Sequence, residues 1–500
     1  MEKRLACLLE ETTVLDLDLN GRPAEMAIGQ VVYDSRKVQP GDLFVAVPGF
    51  QHDGHEFIAE AVAKGAAAVV LERSTMELPI GVAKVVVPSS RLALPNLASA
   101  FYGYPSRKMK IVGVTGTNGK TSTTFLCDAI FQLAGFVTGL VGTIENRVGG
   151  KVFPGERTTP ESVDIEELLW KMVNDKVTHV SLEVSSHALD LGRVKNIEFD
   201  VAVFTNLSQD HLDYHKNLTE YRLAKAKLFS QLDLAAAIKS PKTAVLNADD
   251  ESSSVMKAAT SAPILTIGID NKADISASQI QIGDQNAVFQ LKTPTGTRKV
   301  RLHTTGLFSV YNALTACAVG LSQSLDLDLI VTALENMPGI PGRFEQVRCG
   351  QQFTVIVDYA HTPAGLENIL KTAQRFARGR VILVFGCGGD RDRTKRPLMG
   401  QLAVRYADLV FITSDNPRTE DPAIIIDQIE EGIKKLPGNH RAYTRYIDRR
   451  EAIYAALAEA QTDDVVLIAG KGHETDQVLA DKVIHLDDRE VVRTYFKELN

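Results

Sequence analysis

The sequence predicts an α/β protein of three domains: a small N-terminal α/β domain, a central P-loop-type domain with a mostly parallel sheet, and a C-terminal Rossmann-like domain. Three observations lead to this prediction. The chain has 500 residues, which is too long for one hydrophobic core and suits about three domains. A glycine-rich segment follows an apolar run near residue 115. Beyond residue 350, apolar strands alternate with helical patterns, as in parallel sheets with crossover helices.

Two segments rich in proline and glycine predict the joints between these domains. The first is FYGYPSRK at Phe101–Lys108, which separates an Ala- and Leu-rich helical pattern from the next apolar strand. The second is PGIPG at Pro338–Gly342, where two prolines and two glycines break any regular element and suit a hinge. We therefore expect domains at residues 1–104, 105–337 and 338–500.

Composition favours small-molecule ligands. The chain carries 55 Lys and Arg against 62 Asp and Glu, a net charge of −7, and has no long basic stretch, which argues against a nucleic-acid partner. Its five cysteines are widely spaced and form no C-x-x-C pair, so they suggest neither disulfides nor zinc and suit a reducing cytoplasm. No segment reaches the ~18 uninterrupted apolar residues of a membrane span. We expect a cytoplasmic protein without a membrane partner.

The segment GTNGKTS predicts a phosphate-binding loop. It follows the apolar run Met109–Val114 and opens a predicted helix, so backbone N–H groups, the helix N-terminus and the Lys120 ammonium group would all face a polyphosphate. A plain strand-to-helix turn would explain Gly-Thr-Asn-Gly but not the Lys-Thr that follows. Val114 stands where the common Walker pattern has its first glycine, so the loop is a shorter subtype. The candidate phosphate-binding residues are Gly116, Thr117, Asn118, Gly119, Lys120, Thr121 and Ser122.

Polar side chains at the ends of two further central strands predict a metal site beside this loop. Glu183 lies near the end of the apolar strand Val180–Val184, and a carboxylate there is a usual partner of nucleotide-bound magnesium, with the Thr121 hydroxyl as a second ligand. The residues that follow the next apolar strand include Asn206, Asp210 and His211. Each of these three is either a turn residue or a functional one. By spacing alone, Lys225 is a solvated helix lysine.

Three loops that follow three strands of the C-terminal pattern predict a ligand crevice, because ligands of open parallel sheets bind at the carboxyl ends of the strands. The loops are CGGDRDRTKRP, DNPRTEDP and GKGHE, at residues 387–397, 415–422 and 470–474. Arg391 and Arg418 can hold carboxylates, and Asp415 and Glu474 can accept from an ammonium group, so a zwitterion with an extra carboxylate would fit. Interloop salt bridges are the alternative. The first loop lacks the full G-x-G-x-x-G, so NAD is not expected.

The motifs of the chain, taken in order, resemble those of the Mur ligase family over essentially the whole length. The matching segments are TGTNGKTS at 115–122, EVSSHAL at 183–189, TNLSQDHLDYH at 205–215, YNALTA at 311–316, GRFE at 342–345 and DYAHTP at 358–363. DNPR at 415–418 is similar to the signature of members that add meso-diaminopimelate instead of L-lysine. In such members Arg418 would hold the carboxylate that lysine lacks.

The resemblance implies an ATP-dependent amide ligase of peptidoglycan precursor synthesis. It would act as a monomer and add meso-diaminopimelate to the D-Glu γ-carboxylate of UDP-MurNAc-L-Ala-D-Glu through an acyl phosphate, releasing ADP and phosphate. The residues implied to bind the UDP precursor are Ser35, Gln51, His52, Thr158, Thr159, Ser185 and Arg193. Those implied to contact ATP, besides the loop, are Asn312, Arg343 and Asp358. Those implied to bind the amino acid are Arg391, Asp415, Asn416, Pro417, Arg418, Gly470 and Glu474.

The resemblance also changes the interpretation of Lys225. In the family the matching lysine is carbamylated by carbon dioxide to N6-carboxylysine, and the added carboxylate helps to hold a second Mg²⁺ ion. The implied metal ligands are Thr121, Glu183, His211 and Lys225 as its carbamate, and the implied catalytic residues are Lys120, Glu183, His211 and Lys225. The chain departs from some members at Leu191, where they carry glutamine.

Two other functions stay open. The first is another ligase of the same fold, which would add L-lysine or D-alanyl-D-alanine or would be a folylpolyglutamate synthetase. DNPR, together with DSR at 34–36 and FQHDG at 50–54, argues against this alternative. The second is a regulatory protein that binds ATP without catalysing a reaction. The intact candidates for a phosphate loop, metal ligands and an amino-acid pocket argue against that one.

Overall fold

The computed structural model describes residues 2–23, 25–49, 52–73, 75–155, 157–235, 238–437 and 442–499. Within these ranges the chain forms three consecutive units of sheet and helix, whose main sheets have five, eleven and six strands. The predicted three-domain α/β class with a mostly parallel central sheet is thereby confirmed. None of the helices in these ranges combines the length and apolar content that a membrane crossing requires.

The first unit packs helices against both faces of its five-stranded sheet, whose order is β2-β7-β6-β5-β4. Its strands are β1 (Lys3–Arg4), β2 (Asp16–Asp18), β3 (Ala27–Ile28), β4 (Val31–Val32), β5 (Leu43–Val45), β6 (Ala68–Leu71) and β7 (Ala83–Val86). Its helices are α1 (Leu5–Leu9), α2 (Ile58–Ala63) and α3 (Ser90–Tyr102), with 3₁₀ turns at Ser35–Lys37, Gly54–Phe57 and Pro105–Lys108. β1 and β3 form a separate two-stranded ribbon.

The second unit contains the largest sheet, with the order β11-β10-β9-β12-β8-β13-β14-β15-β16-β17-β18. Its strands are β8 (Lys110–Thr115), β9 (Thr138–Val141), β10 (Glu145–Val148), β11 (Lys151–Pro154), β12 (His179–Glu183), β13 (Val201–Phe204), β14 (Thr243–Asn247), β15 (Ile264–Gly268), β16 (Ile275–Ile282), β17 (Ala287–Thr293) and β18 (Gly296–Leu302). Its helices are α4 (Lys120–Leu133), α5 (Ser162–Asn174), α6 (Ser186–Asp190), α7 (Leu218–Ala235), α8 (Ser253–Ala258), α9 (Leu307–Ser322) and α10 (Leu327–Asn336).

The centre of this sheet is buried on both faces, which explains its nearly continuous apolar strands. Helices α4, α9 and α10 cover one face, and α5 and α7 cover the other. Strands β12, β8 and β13 are adjacent and parallel. Their carboxyl ends therefore bring Thr115, Glu183 and Phe204 to one edge of the sheet, and the loops that follow them meet there.

The third unit is a doubly wound sheet with the order β19-β20-β24-β21-β22-β23, parallel except for β19. Its strands are β19 (Glu345–Gln346), β20 (Thr354–Asp358), β21 (Val381–Phe385), β22 (Leu409–Ile412), β23 (Ala442–Arg445) and β24 (Val465–Ala469), followed by the ribbon β25 (Asp476–Val478) and β26 (Val483–His485). Its helices are α11 (Pro363–Phe376), α12 (Lys395–Tyr406), α13 (Pro422–Lys434), α14 (Arg449–Glu459) and α15 (Asp488–Leu499). Because β24, β21 and β22 are neighbours, the three charged loops after them share one edge.

One part of the central sheet lies outside the sequence-based prediction. The antiparallel extension β16–β18 was not predicted at all. Its strands are buried on one side only and carry Lys, Arg and Gln on the other, so they lack the continuous apolar runs that identified the parallel strands.

A buried carboxyl group joins the first two units. Helix α3 packs against α5, and the Ser99 hydroxyl donates to Oε1 of Glu166 at 2.5 Å. The other carboxyl oxygen, Oε2, has no hydrogen-bond partner among the described residues. Burial, which is the largest cause, raises the pKa of Glu166 to about 8. The folded chain therefore favours the protonated acid at this position.

We expect stability to fall as the pH rises from about 4.5 towards 8, because the folded state binds a proton at Glu166 that the unfolded state has lost. Glu166→Gln mimics the protonated acid and removes this dependence. The Tm of the variant should therefore exceed that of the wild type by several °C more at pH 8.5 than at pH 5. Thermal melts at both pH values measure the difference.

The matched control is Glu167→Gln, which changes a half-exposed neighbour on the same helix that pairs with Lys171. Its melting temperature should follow that of the wild type across the same pH range. Equal pH dependence in Glu166→Gln and the wild type would show that Glu166 stays ionised in the folded chain.

Candidate active site

The loop Gly116–Ser122 joins the end of β8 to the start of α4, as the sequence predicts. Gly116 and Gly119 have φ angles of 151° and 87°. A Cβ at Gly116 would lie 1.8 Å from the Thr205 hydroxyl, and one at Gly119 would lie 2.6 Å from the Asn312 amide oxygen. Only glycine fits both positions. The loop thus brings its backbone and the N-terminus of α4 together in the form that binds phosphate.

The loop after β13 holds this phosphate loop in place. The Asn206 carbonyl accepts from the N–H of Thr117 at 2.8 Å, and the Asn206 side-chain oxygen accepts from the N–H of Asn118 at 3.0 Å. The Asn206 amide and the Thr205 hydroxyl both donate to the Asn118 carbonyl. Asn206 therefore acts as a turn and bracing residue, which is one of the two roles the sequence left open.

The Lys120 ammonium group folds back onto its own loop. Its Nζ donates to the carbonyls of Gly116 and Thr117, each at 2.8 Å. Burial lowers the pKa of Lys120, while Glu183 and Asp210 oppose that shift. A phosphate oxygen is a stronger acceptor for an ammonium group than a carbonyl is. We therefore expect Lys120 to exchange its carbonyl acceptors for phosphate oxygens when a polyphosphate binds.

Glu183 is fully buried at the end of β12 and gathers hydroxyl groups around its carboxylate. The Thr121 hydroxyl donates to Oε2 at 3.0 Å, and the Thr143 N–H donates to Oε1 at 2.8 Å. Arg343, from the third unit, donates to the Thr121 hydroxyl at 3.1 Å. A carboxylate and a hydroxyl in contact are the hard oxygen donors that Mg²⁺ prefers. These residues therefore fit a magnesium ion.

Lys225 corrects one expectation from the sequence. Spacing predicted a solvated lysine, but only 1 % of the residue is exposed, because α7 packs it under the phosphate loop. Its Nζ donates to the Gly116 carbonyl at 2.9 Å and lies 4.4 Å from the centre of the Tyr221 ring. Burial, followed by the nearby Lys120, lowers the pKa of Lys225 well below its ordinary value.

His211 lies in the same region, in a left-handed conformation with φ of 56°. Its ring contacts that of His187, with the centroids 4.7 Å apart. Burial lowers the pKa of His211, which favours the neutral imidazole that can ligate a metal. Asp210 accepts from the His211 N–H at 2.9 Å and so braces this turn. No cluster of three or more His, Cys, Asp or Glu side chains within the described ranges is arranged to hold a metal ion.

The residues implied to contact ATP from the third unit surround Tyr359. The Arg343 guanidinium lies 4.4 Å from the centre of the Tyr359 ring. Asp358 accepts from the N–H groups of Phe344 at 2.6 Å and Ala360 at 2.7 Å, so both of its oxygens hold backbone. Burial raises the pKa of Asp358. This carboxylate thus fixes the loop that carries Arg343.

The N-terminal candidates for the UDP precursor belong to the first unit. The Ser35 hydroxyl is buried and donates to Glu60 at 2.8 Å. His52 is exposed, with its ring 6.1 Å from that of Phe57. Gln51 lies outside the described residues. Between the parts of the chain that are described, no hydrogen bond joins Ser35 to the muramoyl-peptide candidates.

The muramoyl-peptide candidates form one hydrogen-bonded group beside Glu183. The Thr159 hydroxyl donates to the Glu183 carbonyl at 2.8 Å and accepts from the Ser185 N–H at 3.0 Å. Arg193 donates to the Thr159 carbonyl at 3.1 Å. Thr158 accepts from the Thr143 hydroxyl at 3.0 Å. The structure therefore brings all four candidates next to Glu183.

Arg391 and Arg418 lie in the C-terminal crevice at the edge of the sheet. Arg418 Nη1 donates to the Gly389 carbonyl at 2.7 Å, and Arg391 Nη1 donates to the Asp390 carbonyl at 2.9 Å. Burial lowers the pKa of Arg418, and the positive charge of Arg391 adds to that effect. Neither guanidinium forms an ion pair with a carboxylate in the described part of the chain. Two neighbouring guanidinium groups of this kind suit an anionic ligand.

The acceptors of the crevice differ in how far they are already paired. Glu474 Oε2 accepts from Asn416 at 2.8 Å and from the buried Lys471 at 3.0 Å. Asp415 Oδ2 is buried and has no partner among the described residues. Gly470 has φ of 116°, and a Cβ there would lie 2.4 Å from this oxygen. Asp415 is therefore the acceptor with capacity left for an ammonium group.

Pro417 contributes to the crevice through its backbone, which packs against Gly389. A Cβ at Gly389 would lie 1.9 Å from the Pro417 carbonyl oxygen, so the first and second loops of the crevice are in close contact there. Arg418, the next residue, has a left-handed φ of 53°. Non-glycine residues in this conformation are uncommon and concentrate at functional sites.

Tyr359 lies between the phosphate side and the amino-acid side. Tyr359 is partly buried, and burial raises its pKa, with further contributions from Glu474, Asp415 and Glu183. Carboxylates of the amino-acid side (Glu474 and Asp415) and of the phosphate side (Glu183) therefore both raise the pKa of this tyrosine. Nearby, a Cβ at Gly342 would lie 2.0 Å from the backbone nitrogen of His473, so the PGIPG segment packs directly against the GKGHE loop.

Sequence reasoning missed three residues of the site. Tyr359 and Lys471 stand inside the quoted motifs DYAHTP and GKGHE, so the motifs offered a signal that was not used. Thr143 belongs to no motif, and its two hydrogen bonds to Glu183 depend on how β9 lies beside β12.

Comparison with known protein families matches nearly the whole chain. The Mur ligase family catalytic domain matches residues 27–102, the Mur ligase middle domain matches 114–320, and the Mur ligase glutamate ligase domain matches 342–472. A solved structure of a UDP-N-acetylmuramoyl-L-alanyl-D-glutamate–2,6-diaminopimelate ligase is similar, with a TM-score of 0.65, 33 % identity, and coverage of 94 % of this chain and 95 % of that one. A folylpolyglutamate synthase from Mycobacterium tuberculosis shares the fold, with a TM-score of 0.60 at 20 % identity over 80 % of this chain and 93 % of that one.

Curated relatives are still more similar in sequence. A UDP-N-acetylmuramoyl-L-alanyl-D-glutamate–2,6-diaminopimelate ligase of Geobacillus thermodenitrificans is 51 % identical over 465 residues, which cover 93 % of this chain and 94 % of the relative. The enzyme of the same name from Bacillus velezensis is 48 % identical over 473 residues, 95 % of each chain. Identity of this extent over nearly the full length, together with the three family-model matches, shows that the chain belongs to the Mur ligase family.

Proposed function

We propose that this chain is an ATP-dependent ligase that joins meso-diaminopimelate to the D-Glu γ-carboxylate of UDP-MurNAc-L-Ala-D-Glu. The products are UDP-MurNAc-tripeptide, ADP and phosphate, and the reaction belongs to peptidoglycan precursor synthesis. The observation that carries the proposal is the crevice in which two guanidinium groups, on Arg391 and Arg418, lie near the acceptors Asp415 and Glu474. The names of the curated relatives support the same substrates.

In the first step, an oxygen of the D-Glu γ-carboxylate attacks the γ-phosphorus of ATP, and the bond to the β-phosphate oxygen breaks. Lys120 follows the transferring phosphoryl group, exchanging its carbonyl partners for phosphate oxygens, and the N–H groups of the loop hold the other phosphates. Asn312 and Arg343 hold the nucleotide from the flanking elements, and Asp358 fixes the loop that carries Arg343. The products of this step are an acyl phosphate and ADP.

Two Mg²⁺ ions, when bound, neutralise charge on the phosphates. Thr121, Glu183 and His211 would hold them, together with Lys225 as its carbamate. Carbamylation requires a neutral amine, because Nζ must form a bond to the carbon of carbon dioxide and release a proton. The lowered pKa of Lys225 favours that neutral form.

In the second step, a neutral amine of diaminopimelate attacks the acyl carbonyl, the tetrahedral intermediate expels phosphate, and the attacking nitrogen loses a proton, which the leaving phosphate can accept. Asp415 accepts from an ammonium group, while Asn416 and Glu474 shape the pocket beside it. Arg418, with Arg391, holds the distal carboxylate. Movement at the PGIPG segment would bring amine and acyl phosphate together and exclude water, which otherwise hydrolyses the intermediate.

The proposal also assigns one substrate to each of the three domains. Residues 1–104 bind the UDP end of the precursor through Ser35, Gln51 and His52, residues 105–337 bind ATP, and residues 338–500 bind the amino acid. The muramoyl peptide lies along Thr158, Thr159, Ser185 and Arg193, beside Glu183. We further propose that the enzyme works as a monomer in the cytoplasm.

One assay tests the proposed function. The purified chain is given ATP, Mg²⁺ and UDP-MurNAc-L-Ala-D-Glu together with meso-diaminopimelate, L-lysine or D-alanyl-D-alanine, and phosphate release is followed. We expect turnover that depends on both the precursor and meso-diaminopimelate. Preference for either of the other amines would assign the chain to another branch of the family. No turnover with any amine would favour an ATP-binding regulator.

Lys225→Ala should lower the rate of ligation by about 10²-fold or more while the chain stays folded, because the variant loses a carbamate that stabilises charge. Short carboxylic acids such as acetate should restore part of the activity by supplying the missing oxygens. Lys227→Ala is the matched control, since this lysine lies on the same helix but is half-exposed and pairs with Asp190 on the surface. A fully active Lys225→Ala enzyme would refute the role of the carbamate.

Arg418→Ala should lower kcat/KM for meso-diaminopimelate by about 10³-fold, because a desolvated carboxylate would lose its charged partner. The slow reaction with L-lysine should change much less, since lysine has no carboxylate at that position. The measurement is the ratio of kcat/KM for the two amino acids in both proteins.

The control for this prediction is Arg393→Ala, which removes a mostly exposed arginine of a neighbouring loop that pairs with Glu420. It should leave the ratio unchanged. If Arg418→Ala also leaves the ratio unchanged, selectivity is determined elsewhere and DNPR only shapes the loop.

A further inference from the structure

A fully buried ion pair lies behind the amino-acid crevice. The side chains of Arg449, at the start of α14, and Asp488, at the start of α15, are both 0 % exposed. The pairing is bidentate: Nε donates to Oδ1 at 2.8 Å, and Nη2 donates to Oδ2 at 2.7 Å. A buried pair of this kind is poor support for overall stability, because the cost of desolvation offsets much of the attraction. Its geometry therefore calls for another explanation.

The other hydrogen bonds of Arg449 go to the residues that come just before two of the three crevice loops. Nη2 donates to the Ala469 carbonyl at 3.0 Å, and Nη1 donates to the Ser414 carbonyl at 3.3 Å. Ala469 and Ser414 immediately precede Gly470 and Asp415. One planar guanidinium thus fixes the distance between the start of the GKGHE loop and the start of the DNPR loop.

The charge of Arg449 also acts on the crevice. Burial alone would lower the pKa of Arg449, but Asp488 and, beyond it, Asp415 and Glu474 raise it above the ordinary value. The guanidinium therefore lies close enough to Asp415 and Glu474 to interact with both acceptors of the crevice.

The first turn of α15 also contacts the GKGHE loop at His473. Arg489, next to Asp488, pairs with Asp487 and donates to the His473 carbonyl at 3.2 Å. It also approaches Glu345 at 3.5 Å, and Glu345 accepts from the N–H of Gly342 in the PGIPG segment at 2.7 Å. The start of α15 is thus connected both to the crevice and to the predicted hinge.

We propose that Arg449 and Asp488 are positioning residues for the amino-acid pocket. Asp488 orients the Arg449 guanidinium, and Arg449 fixes the spacing of the loops that carry Asp415 and Glu474. This inference rests on the proposed function, because it assumes that those loops bind the incoming amino acid.

The test is Asp488→Asn, which keeps the shape of the side chain but removes its charge, together with Arg449→Lys, which keeps the charge but loses the planar fork. Both variants should raise KM for meso-diaminopimelate by about tenfold or more, since displacement of a site by about 1 Å is costly. KM for ATP and for UDP-MurNAc-L-Ala-D-Glu should stay within about twofold of the wild-type values, because those substrates bind elsewhere.

The chain offers a matched control at the opposite end of the same sheet. Asp464 is buried before β24 and accepts from Arg380 at 2.8 and 3.1 Å, in a pairing that does not touch the crevice. Asp464→Asn should lower Tm as Asp488→Asn does but leave KM for meso-diaminopimelate unchanged.

Three results would overturn the inference. They are an unchanged KM for meso-diaminopimelate in both variants of the pair, an equal rise in KM for all three substrates, or failure of both variants to fold while Asp464→Asn folds, which would make the pair a folding element. A wild-type chain that does not turn over meso-diaminopimelate would instead refute the proposed function. The two failures are therefore distinguishable.

Discussion

One partly buried and one buried amine share a single carbonyl oxygen, and the rest of the site depends on this arrangement. Lys120 and Lys225 both donate to the Gly116 carbonyl, at 2.8 and 2.9 Å. Burial lowers the pKa of each, and each lies close enough to the other for their charges to repel. Added negative charge would offset this repulsion. A polyphosphate supplies that charge on one side of Gly116, and a carbamate on Lys225 would supply it on the other.

The Thr121 hydroxyl connects this charged centre to the C-terminal unit. It donates to Glu183 and accepts from Arg343, whose guanidinium in turn packs on the Tyr359 ring. A ligand that binds Thr121 or Glu183 must therefore change the environment of Arg343. This is a direct physical route by which occupancy of the phosphate site reaches the PGIPG segment, and through the close contact of Gly342 with the GKGHE loop, the amino-acid crevice.

The sequence was sufficient where function and local structure use the same residues. GTNGKTS fixed the position of a strand, a loop and a helix, and the apolar runs Val381–Phe385 and Val465–Ala469 coincide with the observed strands. The sequence was insufficient where the burial of a residue depends on segments that are far away along the chain. Lys225 looks solvated because its helix is mixed in polarity, and the Gly116 loop, 109 residues away in sequence, lies against its amine. Thr143 and the pair of Arg449 with Asp488 carry no local signal for the same reason.

The two ends of the amino-acid crevice differ in how they can discriminate between ligands. An ammonium group is common to L-lysine and diaminopimelate, and at that end Glu474 is already paired with Asn416 and Lys471. The end that contains Arg418 holds a guanidinium whose hydrogen bonds go to backbone carbonyls, which are weaker partners than a carboxylate. Under the proposed function, selection between the two amino acids would therefore come from the carboxylate end. The spacing of the loops determines whether a ligand reaches both ends at once.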